Sequence, residues 1–160
     1  MTARPFALIE LLLEHSVPLV IIGGHAVNSY GYARATEDTD IIFDRTESSE
    51  QALYSALSKI NAFWISDDID PVTRLEKTVQ VDLQYIRSHR LMMLGTDLGY
   101  LDVFDYLPGV DDEPTSVAFE DVHVVGGLPY VSLRLLRKMK RASGRGKDLL
   151  DLENLPTEAT

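Results

Sequence analysis

The sequence predicts an α+β protein that forms a single domain over residues 1–160. Two patterns support this prediction: apolar residues that recur with helical spacing, and short, β-branched runs of strand length. At 160 residues the chain is long enough to bury a hydrophobic core. Its hydrophobic content of 45% is that of a globular protein rather than of a disordered one.

The predicted helices and strands follow one another along the whole chain. Helices are expected where apolar residues recur every three or four positions, at residues 5–15, 25–30, 48–60, 132–143 and 147–155. Pro5 suits a first helical turn, and Ser132 can cap the helix that follows it. Strands are expected in short apolar or alternating runs, at residues 17–22, 39–43, 61–66, 79–86, 90–94, 100–104 and 122–125. Residues 67–71 predict a turn and residues 108–114 an acidic loop.

Charge and composition exclude several classes of protein. The net charge of −10 argues against a protein that coats nucleic acid. There is no cysteine, which excludes a disulfide framework and a thiolate metal site. No apolar run has the length of a membrane span, and the N-terminus lacks the layout of a signal peptide. We therefore expect a cytoplasmic protein with no membrane partner.

Three aspartates are candidate metal ligands. Asp38 and Asp40 are two residues apart at a predicted strand, so their side chains point to the same face. Asp102 lies between apolar neighbours in another strand, where an aspartate is disfavoured unless something pairs with it. Asp82 is the alternative third carboxylate. Such carboxylates can hold two Mg²⁺ ions together with the phosphates of a nucleotide.

A glycine pair precedes these aspartates, at the end of the predicted strand 17–22. Gly23 and Gly24 allow backbone N–H groups to approach a phosphate closely, and they also fit a tight strand-to-helix turn. His25 can contact a phosphate or a base, or it can cap or pack locally. Arg34 can contact phosphate or pair with one of the many acids. The candidate nucleotide-binding residues are Gly23, Gly24, His25, Arg34, Thr36 and Lys140.

Lys140 belongs to a basic segment near the C-terminus. Seven of the fifteen Lys and Arg residues lie between Arg134 and Lys147, without an acid among them. Such a segment is either a solvated face or a cationic helix that serves a phosphate-rich ligand or the protein's own acidic cleft. Lys140 shares the helical stripe of Leu133 and Leu136. If its ammonium serves a triphosphate, Lys140→Met is expected to keep stability and to lower triphosphate affinity.

Together these residues resemble the signature of the DNA polymerase β-like nucleotidyltransferase superfamily. The resemblance begins with Gly23-Gly24 and the run from Arg34 to Ile41, and the chain is similar more narrowly to small prokaryotic nucleotidyltransferases, some of which act in toxin–antitoxin pairs. The segment 99–104 resembles the strand with the third carboxylate, and the segment 140–148 resembles a characteristic Lys, Arg and Asp tail. Two departures are Gly24, where serine is common, and Thr39, where an aliphatic residue is usual.

The resemblance implies a polymerase β-like nucleotidyltransferase fold, with helices packed on a mixed β-sheet. It implies a magnesium-dependent enzyme that moves an NMP from an NTP, with ATP as the expected donor, to an acceptor hydroxyl and releases pyrophosphate. Asp38, Asp40 and Asp102 would hold two Mg²⁺ ions, and Asp102 would also act as the base. A protein, a tRNA and a small molecule all remain open as acceptor. The alternatives are a non-catalytic antitoxin that masks a partner toxin, and an NTP-binding module without turnover.

Overall fold

The computed structural model describes residues 6–157. The α-helices in this range are α1 (Ala7–Glu14), α2 (Gly23–Ser29), α3 (Glu47–Lys59), α4 (Leu83–Ser88), α5 (Leu133–Ser143) and α6 (Gly146–Asn154). The strands are β1 (Leu19–Ile22), β2 (Thr39–Phe43), β3 (Phe63–Ile69), β4 (Glu76–Gln80), β5 (Leu91–Thr96), β6 (Gly99–Phe104), β7 (His123–Val125) and β8 (Leu128–Tyr130). A short 3₁₀ helix covers Thr115–Phe119.

All of these strands belong to one mixed sheet, in the order β4-β3-β5-β6-β2-β1-β8-β7. The pairs β2–β6 and β1–β8 are parallel, whereas every other neighbouring pair is antiparallel. The α+β class and the mixed sheet expected from the sequence are therefore confirmed.

The centre of the sheet is held by apolar side chains. All four residues of β1 are buried, as its continuous aliphatic run predicts. On β2 and β6, Ile41 and Val103 are paired in register and fully buried on one face. Each side chain of this kind stabilises the fold by roughly 1.5–3 kcal/mol. Because side chains alternate along a strand, Asp40 and Asp102 point to the opposite face.

Helices α5 and α6 form a corner beside that opposite face. The Ser132 hydroxyl accepts a hydrogen bond from the backbone N–H of Leu135 at 3.3 Å and so caps α5, as predicted. Gly144 ends α5 with φ of 61°, a left-handed conformation that glycine adopts readily. Helix α6 starts two residues later and packs against α5. Among residues 6–157, no helix combines the length and the apolar character that spanning a bilayer requires.

The structure also corrects the sequence predictions. The strand predicted over residues 79–86 is wrong: β4 ends at Gln80, and a carboxylate oxygen of Asp82 accepts a hydrogen bond from the N–H of Tyr85 at 2.8 Å, which caps α4. The turn predicted over residues 67–71 begins later, because β3 continues to Ile69. Strand β8 was not predicted. Residue 5, where the first helix was expected to start, lies outside the described residues.

Candidate functional site

Asp40 and Asp102 lie side by side on neighbouring strands. They are register partners in the parallel pair β2–β6, so their side chains lie beside each other on one face of the sheet. Residues 62 positions apart in sequence thus meet because β2 and β6 are adjacent. Asp82 does not join them, because it caps α4 elsewhere in the fold. Among the sequence candidates, the structure brings Asp102 rather than Asp82 to the first pair of aspartates.

Burial and the neighbouring negative charges raise the pKa values of these carboxyl groups. Burial, followed by the negative charge of Asp102, raises the pKa of Asp40 from 3.8 to about 6. Burial also raises the pKa of Asp102, and the charge of Asp38 adds to the effect. Asp38 itself is exposed just before β2. Its backbone carbonyl accepts a hydrogen bond from the Thr36 hydroxyl at 3.3 Å. This contact stabilises the conformation of the segment that precedes β2. The charge of Asp38 therefore acts on both other carboxylates. That the three share metal ions stays a prediction.

The glycine pair makes room for two of the predicted site residues. Gly23 has φ of 69°, and a Cβ added there would lie 2.3 Å from Oδ2 of Asp40. A Cβ added at Gly24 would lie 2.5 Å from the hydroxyl oxygen of Thr36. Each glycine is thus required by the side chain that lies against it. That their N–H groups also hold a phosphate stays a prediction.

We predict that Gly23→Ala inactivates the site by displacing Asp40. The left-handed backbone alone costs an alanine about 1–2 kcal/mol. Gly126→Ala is the matched control, because Gly126 has φ of 59° but an added Cβ would meet no atom within 4 Å. We expect both variants to lose similar stability in urea denaturation, and only Gly23→Ala to lose nucleotide transfer. Equal transfer by the two variants would show that the position of Asp40 is not critical.

The three aspartates line one wall of a cleft of about 390 Å³. Gly23 also lines it, and the α5–α6 corner contributes Lys140, Ser143, Arg145, Lys147 and Asp148. Phe104, Pro108 and Met139 add apolar lining. The cleft therefore brings carboxylates, cations and apolar side chains together.

Lys140 lines this cleft, but its ammonium is held within the protein. Only 7% of the residue is exposed. Its Nζ lies 3.2 Å from Oδ1 of Asp148 and 2.9 Å from Oδ2 of Asp151. Both carboxylates are buried on α6. Of the alternatives raised by the sequence, the structure thus shows the protein's own acidic residues as the partners of this ammonium.

Arg34 joins the same buried cluster. Its Nη2 donates a hydrogen bond to Oδ2 of Asp151 at 3.0 Å, and its Nε lies 2.8 Å from Oδ1. The sequence left open whether Arg34 contacts phosphate or pairs with an acid, and the structure shows the pairing. Asp151 therefore links the segment before β2 to helices α5 and α6.

The remaining candidate, His25, lies behind the cleft. It is half-buried in α2, with its ring centroid 5.6 Å from that of Phe6. Burial, followed by the nearby charge of Arg34, lowers the pKa of His25 and favours its neutral form. Local packing is therefore what the structure shows for this side chain. Gly24, Arg34 and Thr36 likewise lie beside the cleft rather than on its walls.

Arg145 and Lys147 line the cleft, and Asp151 belongs to the buried cluster beside it; none of the three was among the sequence candidates. The signal for Asp151 is its spacing of three residues from Asp148, which places both carboxylates on one face of α6. Arg145 and Lys147 were recognisable only as members of the basic segment and of the tail at residues 140–148.

No protein-family model and no curated protein matches the sequence. The fold is similar to that of the antibiotic-resistance factor ANT(2'')-Ia, with a TM-score of 0.59 at 15% identity over 96% of this chain and 83% of that chain. The chain therefore shares the fold of ANT(2'')-Ia. At this identity the similarity establishes the fold and not the activity.

Two other solved structures show weaker similarity to this chain. JHP933 from Helicobacter pylori has a TM-score of 0.48 at 16% identity, over 95% of this chain and 66% of that chain. An H. pylori protein assigned as a nucleotidyltransferase has a TM-score of 0.41 at 17% identity, over 86% of this chain and 56% of that chain.

Proposed function

We propose that the protein is a magnesium-dependent nucleotidyltransferase that moves an NMP from an NTP, with ATP as the expected donor, to an acceptor hydroxyl. The observation that supports this function is the convergence of Asp38, Asp40 and Asp102 at one wall of the cleft, on a nucleotidyltransferase fold. Nucleotidyl transfer requires a concentration of negative charge of this kind to hold divalent cations.

The donor set fits Mg²⁺, a hard cation that prefers oxygen ligands. Burial and then the repulsion from Asp102 and Asp38 raise the pKa of Asp40 to about 6, and a bound cation would relieve that repulsion. Within residues 6–157, no three His, Cys, Asp or Glu side chains are grouped closely enough to hold a metal ion by themselves. This agrees with a site in which substrate phosphates complete the coordination. Bound Mg²⁺ would polarise the α-phosphate and neutralise charge on the leaving pyrophosphate.

The residues of the cleft can then be given roles. Asp38 and Asp40 would hold the cations, which would orient the triphosphate. Asp102 accepts the proton of the acceptor hydroxyl, whose oxygen forms a bond to the α-phosphorus while the bond from that phosphorus to the β-phosphate oxygen breaks. Pyrophosphate leaves, and the NMP remains on the acceptor. Burial raises the pKa of Asp102, which makes its carboxylate a stronger base than an exposed aspartate.

A transfer assay with labelled NTPs tests the proposal. The protein is incubated with each α-³²P-labelled NTP, Mg²⁺ and a cell lysate, with EDTA as the metal-free control. We expect labelled RNA, protein or small molecule with wild type, and none with Asp102→Asn. Asp82→Asn is the matched control, because Asp82 is also an aspartate near a strand end but caps α4. Asparagine preserves that cap, so Asp82→Asn should transfer label normally.

The outcomes separate the candidate functions. Label on an acceptor identifies the acceptor class directly, because RNA, protein and small molecules separate on extraction. NTP binding without transfer from any of the four NTPs would instead favour the NTP-binding module. Normal transfer by Asp102→Asn together with loss in Asp82→Asn would reverse the assignment of the third carboxylate.

A further inference from the structure

Most of the basic segment 134–147 is neutralised within the protein. Arg134 and Lys138 both pair with Glu113, at 2.9 and 2.8 Å. Arg137 donates to backbone carbonyls at the end of α6 and beyond it. Lys140 is buried between two carboxylates of α6. These side chains therefore connect α5 to the loop at residues 108–114 and to α6, which accounts for much of the positive charge in the segment.

Arg145 and Lys147 differ from those residues. Both line the same cleft as the three aspartates. Lys147 is exposed and has no ion-pair partner within residues 6–157. The Arg145 side chain is 61% exposed although its Nε lies 2.8 Å from Oδ2 of Asp148. A guanidinium presents five N–H donors, so this contact leaves donors for a ligand.

The contacts of Arg145 also fix where its guanidinium points. Its Nε donates to the Ser143 hydroxyl at 3.0 Å as well as to Asp148, whose side chain is buried. These two contacts anchor the guanidinium at the turn between α5 and α6. The anchored position is close enough for the charge of Asp40 to act on Arg145 across the cleft. Because the guanidinium is already held in place, it loses little conformational entropy when its remaining N–H groups bind an anion.

The negative charge of the protein indicates a role for these two cations in binding an anionic ligand. A protein of net charge −10 repels a triphosphate, and three carboxylates in the cleft increase that repulsion. Local cations must therefore receive the part of the triphosphate that the metal-binding carboxylates do not reach. We propose that Arg145 and Lys147 bind the triphosphate of the substrate, opposite Asp38, Asp40 and Asp102. This inference rests on the proposed nucleotidyl transfer and adds the phosphate-binding residues to it.

Calorimetric titration with inorganic tripolyphosphate in the presence of Mg²⁺ tests the inference without a base or an acceptor. We expect Lys147→Met to weaken binding about tenfold and Arg145→Gln/Lys147→Met about a hundredfold, since each charged donor to phosphate is a strong contact. Arg74→Gln/Lys77→Met is the matched control: it removes the same two charges from exposed positions of the β3–β4 hairpin. Its affinity should remain within about threefold of wild type, because distant surface charges are screened by salt.

The transfer assay is run on the same proteins, so that the two proposals can fail separately. Tripolyphosphate affinities of Lys147→Met and of the cleft double variant equal to wild type, or no binding by wild type, would overturn the inference even if wild type transfers label. Absence of transfer by wild type, with tripolyphosphate binding that depends on both cations, would instead overturn the transferase and support the phosphate site. Lys147→Met decides the test if loss of Arg145 unfolds the chain, because Lys147 supports no buried carboxylate.

Discussion

Asp40→Asn is expected to abolish nucleotide transfer while the fold remains intact. Asparagine keeps the volume of the side chain and removes the negative charge that would hold a cation beside Asp102. Loss of metal-based charge stabilisation of several kcal/mol lowers kcat/KM about a thousandfold or more. The measurement is the labelled-NTP assay at saturating Mg²⁺. Asp44→Asn is the control, because Asp44 is exposed directly after the same strand. Wild-type transfer by Asp40→Asn would disprove the catalytic assignment.

The same substitution should make the metal-free protein more stable. The pKa of Asp40 is raised from 3.8 to about 6 in the folded protein, so the folded state binds its proton more tightly than the unfolded state does. The ionised carboxylate therefore costs stability that grows as the pH rises from 3.8 through about 6 and then stays constant. Asp40→Asn has no such cost.

Urea denaturation in EDTA tests this stability difference. At pH 8 we expect the Asp40→Asn variant to be more stable than wild type by roughly 1–2 kcal/mol. This difference is smaller than the free energy that corresponds to the full pKa shift, because water reaches part of the side chain. The difference should shrink as the pH falls toward 4. A variant less stable than wild type at pH 8 would mean that the ionised carboxylate contributes favourable contacts in the apo protein.

Local pattern was sufficient to predict several elements of the fold. The alternation in Thr39–Phe43 gave the bounds of β2, and Ser132 marked the start of α5, because both signals depend on neighbours in sequence. The prediction failed at residues 79–86, where Asp82 caps a helix rather than continuing a strand. An aspartate in an apolar run is compatible with both, and only packing of α4 against α3 decides between them.

The sequence predicted which residues belong to the candidate site, but it did not predict which of them contact each other. The carboxylates were recognisable from their positions on strands, but the register of Asp40 with Asp102 depends on β2 and β6 being neighbours in the sheet. Arg34 and Asp151 are 117 residues apart, so no local pattern connects them. The stripe of α5 correctly placed Lys140 on the buried face. It could not show that carboxylates of the following helix would surround the ammonium.

Because of those carboxylates, we expect Lys140→Met to lower the stability of the protein rather than to leave it unchanged. The sequence predicted that stability would hold, because methionine replaces the apolar stem. In the structure the substitution leaves Asp148 and Asp151 buried without the ammonium that lies 3.2 and 2.9 Å from them. Removal of one partner from a buried ion pair costs about 3–5 kcal/mol. We expect about 3 kcal/mol, the lower end of that range, because each carboxylate keeps an arginine partner.

Urea denaturation at pH 7 measures this loss, and Lys138→Met is its matched control. Lys138 lies on the same helix and also contacts two carboxylates, Asp112 at 2.9 Å and Glu113 at 2.8 Å, but Asp112 is 73% exposed. Exposed ion pairs contribute little because water and salt screen them. Lys138→Met should therefore unfold at nearly the wild-type urea concentration, whereas Lys140→Met should unfold much earlier. If the two variants are equally stable, the buried cluster does not hold α5 to α6, and the ammonium of Lys140 is available to a triphosphate as the sequence suggested.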